Sequence, residues 1–160
     1  MQKCFFVHIC WCLLASITAS VICSQVQGQS LSGVENSPVN YTEGGDAVQI
    51  TNNLSVAGNS LISYATVTVS NGYNAAEDTL IYQGESGIHP VFNNETGQLL
   101  LLSFPAGSTA ESSEIQTALR SVFYRNKNTD NPQSNQRTIS FAVYNQNNEA
   151  SNTVSRNATV

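Results

Sequence analysis

From residue 29 onward this 160-residue chain has no cysteine, tryptophan or methionine, and a single histidine, His89. Without cysteine there is no disulfide framework, and one histidine makes no zinc ligand set. The missing tryptophan weakens the case for a sugar-stacking lectin. Positive charge is scarce as well, with six Lys and Arg against eleven Asp and Glu and a formal net charge of −5. Nucleic acid and anionic membrane surfaces call for a basic patch, so neither fits this balance. There is no Gly-rich phosphate loop and no heptad repeat.

The cysteines that exist, Cys4, Cys10, Cys12 and Cys23, lie with His8 and Trp11 in one N-terminal apolar run that follows Lys3 and thins into Ser and Gln. This pattern predicts a signal peptide over residues 1–28, cleaved between about Ala19 and Gly28, and hence a secreted protein. Ile22 precedes Cys23 where a lipoprotein box needs a small residue, so lipidation is discounted. Cleavage removes Lys3 and leaves five basic residues against eleven acids, a net charge of −6. A remainder of about 130 residues buries roughly two thirds of its unfolded surface, enough for one domain, 29–160, without disulfides. Its surface is polar but weakly charged, and sequons at Asn40, Asn53, Asn94 and Asn157 mark glycosylation in a eukaryotic source.

The stretch Glu114–Val143 organises the chain. Ile115, Ala118 and Leu119 share one side of a short helix near 110–119, with Ser108 and Glu111 at capping-box spacing and Arg120 at the negative end of its dipole. Two strands follow, Val122 and Tyr124 alternating in the first, Ile139, Phe141 and Val143 in the second, separated by a loop at Thr129–Pro132. Upstream, Ala65, Val67 and Val69 alternate with Thr66, Thr68 and Ser70, and Asn71-Gly72 ends that strand in a turn. An edge strand over 34–41, short strands over 47–50 and 78–82, a hairpin over 88–104 turning at Asn93–Gly97, and a last strand over 151–160 complete the pattern, with 52–60 read as loop. Leu99 to Leu102 are apolar on both faces, so the helix is expected to cap the second face. Seven to nine short strands with one helical turn predict an all-β chain, an antiparallel β-sandwich of immunoglobulin-like or cadherin-like kind.

Reactive chemistry finds little support. Gly84-Glu85-Ser86-Gly87 has the look of a serine-nucleophile motif, but His89 is only three residues from the serine and no elbow motif exists, so it is read as a turn. Glu77, Asp78, Glu85 and Glu95 are read as solvated loop charges rather than a glycosidase pair, with a lesser claim of Glu77-Asp78 to a cation site. Tyr64, Tyr73 and Tyr144 are read as packing, with a ligand-stacking platform as the alternative.

Seven segments in order, Tyr41-Thr42-Glu43-Gly44-Gly45, Ala65 to Val69, Thr96 to Leu101, Ala118 to Tyr124, Asn131-Pro132, Arg137 to Val143 and Ser151-Asn152, give the chain a resemblance to the cadherin-like repeats of large secreted or surface adhesins. The resemblance covers essentially all of 29–160. It implies one sandwich module of a longer array, non-enzymatic, serving adhesion or matrix architecture through contacts with extracellular proteins or neighbouring like modules. It also implies Ca²⁺ at module junctions, with Glu43, Asn59 and Asn145 at the ligand positions. Asn59 and Asn145 stand where the family carries aspartates, which removes formal charge from such a site. The alternative is a secreted carbohydrate-binding or matrix-associated protein.

Overall fold

The computed structural model describes residues 28–58, 61–85, 87–103 and 105–160. The predicted signal segment, apart from Gly28, and the residues Asn59 and Ser86 lie outside them. Eleven strands and one helix follow in the order β1 (Ser30–Ser32), β2 (Val39–Asn40), β3 (Val48–Gln49), β4 (Ser55–Ala57), β5 (Ile62–Asn71), β6 (Asp78–Tyr82), β7 (Ile88–Asn93), β8 (Gln98–Ser103), α1 (Ser112–Arg120), β9 (Val122–Asn126), β10 (Arg137–Asn145) and β11 (Val154–Thr159). The all-β expectation holds.

The strands form a six-stranded sheet in the order β2-β11-β10-β5-β8-β7, a three-stranded sheet β3-β9-β6 and a separate pair β1-β4. All pairings are antiparallel except β11 with β2, which makes the large sheet mixed rather than purely antiparallel. A parallel pair needs a long connection, and nearly the whole fold intervenes between the edge strand β2 and β11.

Period-two alternation builds the core from both sheets. Ala65, Val67 and Val69 of β5, Leu99 and Leu101 of β8, and Ile139, Phe141 and Val143 of β10 point inward from the large sheet, and Leu80, Val122 and Tyr124 meet them from the small one. Ile115, Ala118 and Leu119 add the buried side of α1. The helix starts one turn later than Ser108 predicts: the Glu114 carboxylate accepts the Glu111 N–H at 2.9 Å, so Glu111 and Glu114 form the cap. The helix also does not cap the outer side of Leu99–Leu102. It packs against β4 and β5, and Leu100 and Leu102 stay half exposed on the opposite side of the sheet. The region read as loop over 52–60 contains β4, paired with β1 through Ser30↔Ala57, Leu31↔Val56 and Ser32↔Ser55.

One end of the core is ionic. Arg137, Asp78, Asn126 and Tyr124 are each 0% exposed and Glu77 is 8% exposed, which corrects the reading of Glu77 and Asp78 as solvated loop charges. Arg137 Nε donates to both Asp78 oxygens at 3.1 and 3.2 Å, and Nη2 reaches Glu77 Oε2 at 3.4 Å. Its Nη1 donates to the carbonyls of Gln133 and Asn135, so the β9–β10 loop is wound around the guanidinium. Asp78 also accepts the Tyr124 hydroxyl at 2.6 Å and the Asn74 N–H at 2.7 Å. Burying these charges is tolerable because each guanidinium nitrogen and each carboxylate oxygen of the cluster has at least one hydrogen-bond partner.

Candidate functional site

The inward phase of the large sheet is spent on the core, so its outward phase is what the molecule can offer a partner. Strand register fixes that surface. Tyr144 stands opposite Tyr64, Tyr64 opposite Leu102, and Leu102 opposite His89, which makes one row across four strands. The next row is Ala142, Thr66, Leu100 and Val91, and the third is Ser140, Thr68, Gln98 and Asn93. Polarity therefore rises row by row from the aromatic end, and no Asp, Glu, Lys or Arg stands in any of the three.

Alternation with Thr66 and Ala142 turns Tyr64 and Tyr144 outward, and a β-bulge closes the row. The register slips between Tyr144 and Asn145, where Ser63 is the extra residue of β5, and the slip turns Ile62 inward although it shares a phase with Tyr64. The two phenol rings stack at 4.5 Å between centroids with 12° between planes. The Tyr64 hydroxyl donates to Asn148 Oδ1 at 2.5 Å, and Asn148 holds a left-handed backbone, φ 61°, to place it. Partial burial, and then the neighbouring Tyr144, push the Tyr64 phenol above its ordinary pKa, so the hydroxyl stays a donor at neutral pH. Beside the stack, Thr66, Gln98, Leu100 and Leu102 line a hollow of about 340 Å³. On the other side of Tyr64 a second hollow of about 300 Å³ lies between Leu102, His89, Ala106 and Ser108. Val91, on the same face, is 44% exposed, one of two large apolar side chains to be so exposed among the described residues.

The three tyrosines weighed as a platform are thus divided. Tyr64 and Tyr144 meet, whereas Tyr73 sits at the β7–β8 turn, its hydroxyl donating to the Asn94 carbonyl at 2.6 Å and its ring lying where a side chain on Gly97 would be, 2.7 Å from an ideal Cβ. Gly97 has φ 67°, so the turn needs glycine twice over.

Of the residues that the resemblance assigns to Ca²⁺, Asn59 lies outside the described residues, and Glu43 and Asn145 stand apart from one another. Glu43 is exposed in a turn at the ionic end, where Tyr41 joins Gly45, Asn126 and Thr159 through hydrogen bonds. Asn145 closes the far end of β10, eight residues along from Arg137 and so about 25 Å away. Its Oδ1 already accepts the N–H groups of Asn147 and Glu149, at 3.0 and 2.9 Å, and its amide donates to Glu149 Oε2 at 2.7 Å. Two donors occupy both lone pairs of that oxygen, which leaves none for a cation. Nearby, Gln29 Oε1 is a buried acceptor with no hydrogen-bond partner among the described residues, and Glu149 is the acid at this turn. Neither was singled out from the sequence. No group of three His, Cys, Asp or Glu side chains converges among the described residues.

The remaining sequence candidates separate too. Glu85 and Glu95 are exposed on turns, away from the buried Glu77 and Asp78. His89 belongs to the first row of the outer face. Of the sequons, Asn53 and Asn94 are exposed on turns, while Asn40 and Asn157 have their Oδ1 atoms engaged by Thr159 and Thr138 at 2.6 and 3.1 Å. No helix among the described residues is long and apolar enough to cross a membrane. No family model, curated protein or solved structure matches the chain.

Proposed function

We propose that the chain is a non-enzymatic, secreted adhesion or matrix module, a cadherin-like β-sandwich that works through protein contacts. The observation that carries this is the outer face of the large sheet. An aromatic and aliphatic centre, free of charge and bordered by a row of Ser, Thr, Gln and Asn, has the composition of a protein-contact surface with its polar rim. Calcium has no step in this proposal, because Glu43 and Asn145 lie at opposite ends and the Asn145 oxygen is taken.

The test is display of the chain on a non-adherent cell. Cells carrying it adhere to matrix-coated surfaces or to other cells, and Leu100→Lys, which puts a charge in the middle of the face, abolishes adhesion while the displayed chain remains folded. Failure of the folded wild-type chain to adhere to any of these surfaces would sink the proposal.

A second reading, carbohydrate binding, rests on the stacked Tyr64–Tyr144 pair beside a hollow that also carries Thr66 and Gln98. It predicts glycan-array signal that disappears in Tyr64→Ala and survives in Tyr73→Ala.

A further inference from the structure

We infer that the outer face of the six-stranded sheet binds a second copy of this chain, face to face. The inference rests on the contact-module proposal and names its partner.

Charge is the first argument. The chain carries a net charge of −5, and its exposed acids, such as Glu43, Asp46, Glu85, Glu95, Glu111, Glu114, Asp130 and Glu149, lie outside the large sheet, so two copies brought together at random oppose like charges. The three rows Tyr144–Tyr64–Leu102–His89, Ala142–Thr66–Leu100–Val91 and Ser140–Thr68–Gln98–Asn93 contain no acid at all. This surface lets one copy meet another without acid facing acid. A cationic partner would be served better by the turns, and this face gives it nothing to pair with.

The second argument is the closure of the alternatives at the sheet edges. β7 is an edge strand, but Pro90 in its middle has no N–H to donate to an added strand. The opposite edge is β2, only two residues long. Lengthening of the sheet from chain to chain is thus blocked, and association through the large sheet is left to its face. A two-fold pairing there sets the apolar rows of one copy on those of the other, with the exposed Val91 available to enter the hollows beside Tyr64.

Size limits the strength. Four strands at about 4.8 Å and three rows at about 6.7 Å cover on the order of 400 Å², half the roughly 800 Å² per partner of a standard interface. The dimer is therefore weak in solution, and many modules in parallel would be needed for a lasting contact.

Sedimentation equilibrium of the secreted chain tests this from about 10 µM to about 1 mM, at about 0.05 and 0.5 M NaCl. The expected result is a monomer–dimer equilibrium with its midpoint in the upper part of that range. Salt tightens it several-fold, because the net charges repel and no Asp, Glu, Lys or Arg stands in the three rows. Tyr64→Ser and Leu100→Lys each weaken it at least tenfold, while Thr117→Arg, on the exposed side of α1, leaves the face intact and weakens nothing. A monomer at every concentration overturns the inference, as does a dimer that loosens in salt or that ignores both face variants. A monomer whose display still gives Leu100-dependent adhesion to matrix overturns only the second copy as occupant and leaves the contact module standing. A monomer that binds neutral glycans through Tyr64 assigns the face to carbohydrate and overturns both.

Discussion

At the scale of single residues the side chain with most at stake is Arg137. Removing one partner of a buried ion pair leaves the other charge uncompensated, and Arg137→Met leaves two, Asp78 and Glu77. The expected loss is about 3–5 kcal/mol, a large part of a small domain's stability, measured by urea unfolding of wild type and variant. Two pH effects follow from the same cluster. The Gln133 N–H, with help from Asn128, Asn126 and Arg137, holds the Glu77 carboxyl below its ordinary pKa of 4.5, against some desolvation. A lowered pKa means that its contribution is present above that value and is lost as pH falls through the folded one. Burial, and then the hydrogen bond to Asp78, push the Tyr124 phenol well above 10, so its contribution is complete below 10 and is lost as pH rises past it. Thermal melts across pH should thus fall off on both the acid and the alkaline side, and Tyr124→Phe should blunt the alkaline loss. This cluster was legible in outline. Arg137 stands in phase with Ile139, Phe141 and Val143, Asp78 with Leu80, and Asn126 with Val122 and Tyr124, so alternation alone sends all three polar side chains to the core. Which of them touch is set by how the two sheets pack, since Arg137 of β10 and Asp78 of β6 lie 59 residues apart on different sheets, and alternation does not reveal that.

At the scale of elements, strands with strong alternation were readable: β5 carries Ala65, Val67 and Val69, and β10 carries Ile139, Phe141 and Val143, at every second residue, and the β7–β8 hairpin is marked by its turn at Asn93–Gly97. The elements that escaped are those whose reason lies elsewhere in the chain. β1 and β4 have three residues each and exist because they pair with one another. The helix cap shifted because Ser108 is drawn into a turn with Pro105, which leaves Glu111 and Glu114 to satisfy the first turn. Glu114→Ala therefore removes the partner of the Glu111 N–H and should lower stability by about 0.5–1 kcal/mol, whereas Ser108→Ala should cost less. Parallel urea titrations of the two variants decide the order. The outer face shows the same limit. Every residue in its three rows could be placed on an outward phase from sequence, but which of them stand side by side in the row Tyr144–Tyr64–Leu102–His89 depends on strand order and register that no local pattern encodes.

At the scale of the whole molecule the two ends differ in what they have been given to do. The ionic end gathers Tyr41, Glu77, Asp78, Tyr124, Asn126 and Arg137 around buried charge, and the aromatic end sets Tyr64 and Tyr144 on an open surface. The glycosylation candidates respect this division. Asn94 borders the polar end of the outer face and Asn157 stands on β11 opposite Thr138, while the row of Tyr144 and Tyr64 has no acceptor, so glycans at these sequons leave the aromatic end bare. The loop from Lys127 to Gln136 gives a final consequence, a kinetic one. Its side chains are mostly exposed and its composition is that of a turn, yet the Gln133 and Asn135 carbonyls grip Arg137 and the Gln133 N–H lies 3.1 Å from Glu77 Oε2. Such a segment cannot open unless the buried ion pair opens with it. Proteases that cut exposed loops should therefore spare this one until the molecule as a whole unfolds, and in native-state hydrogen exchange the Gln133 amide should be protected to the level of β10 rather than that of the other loops.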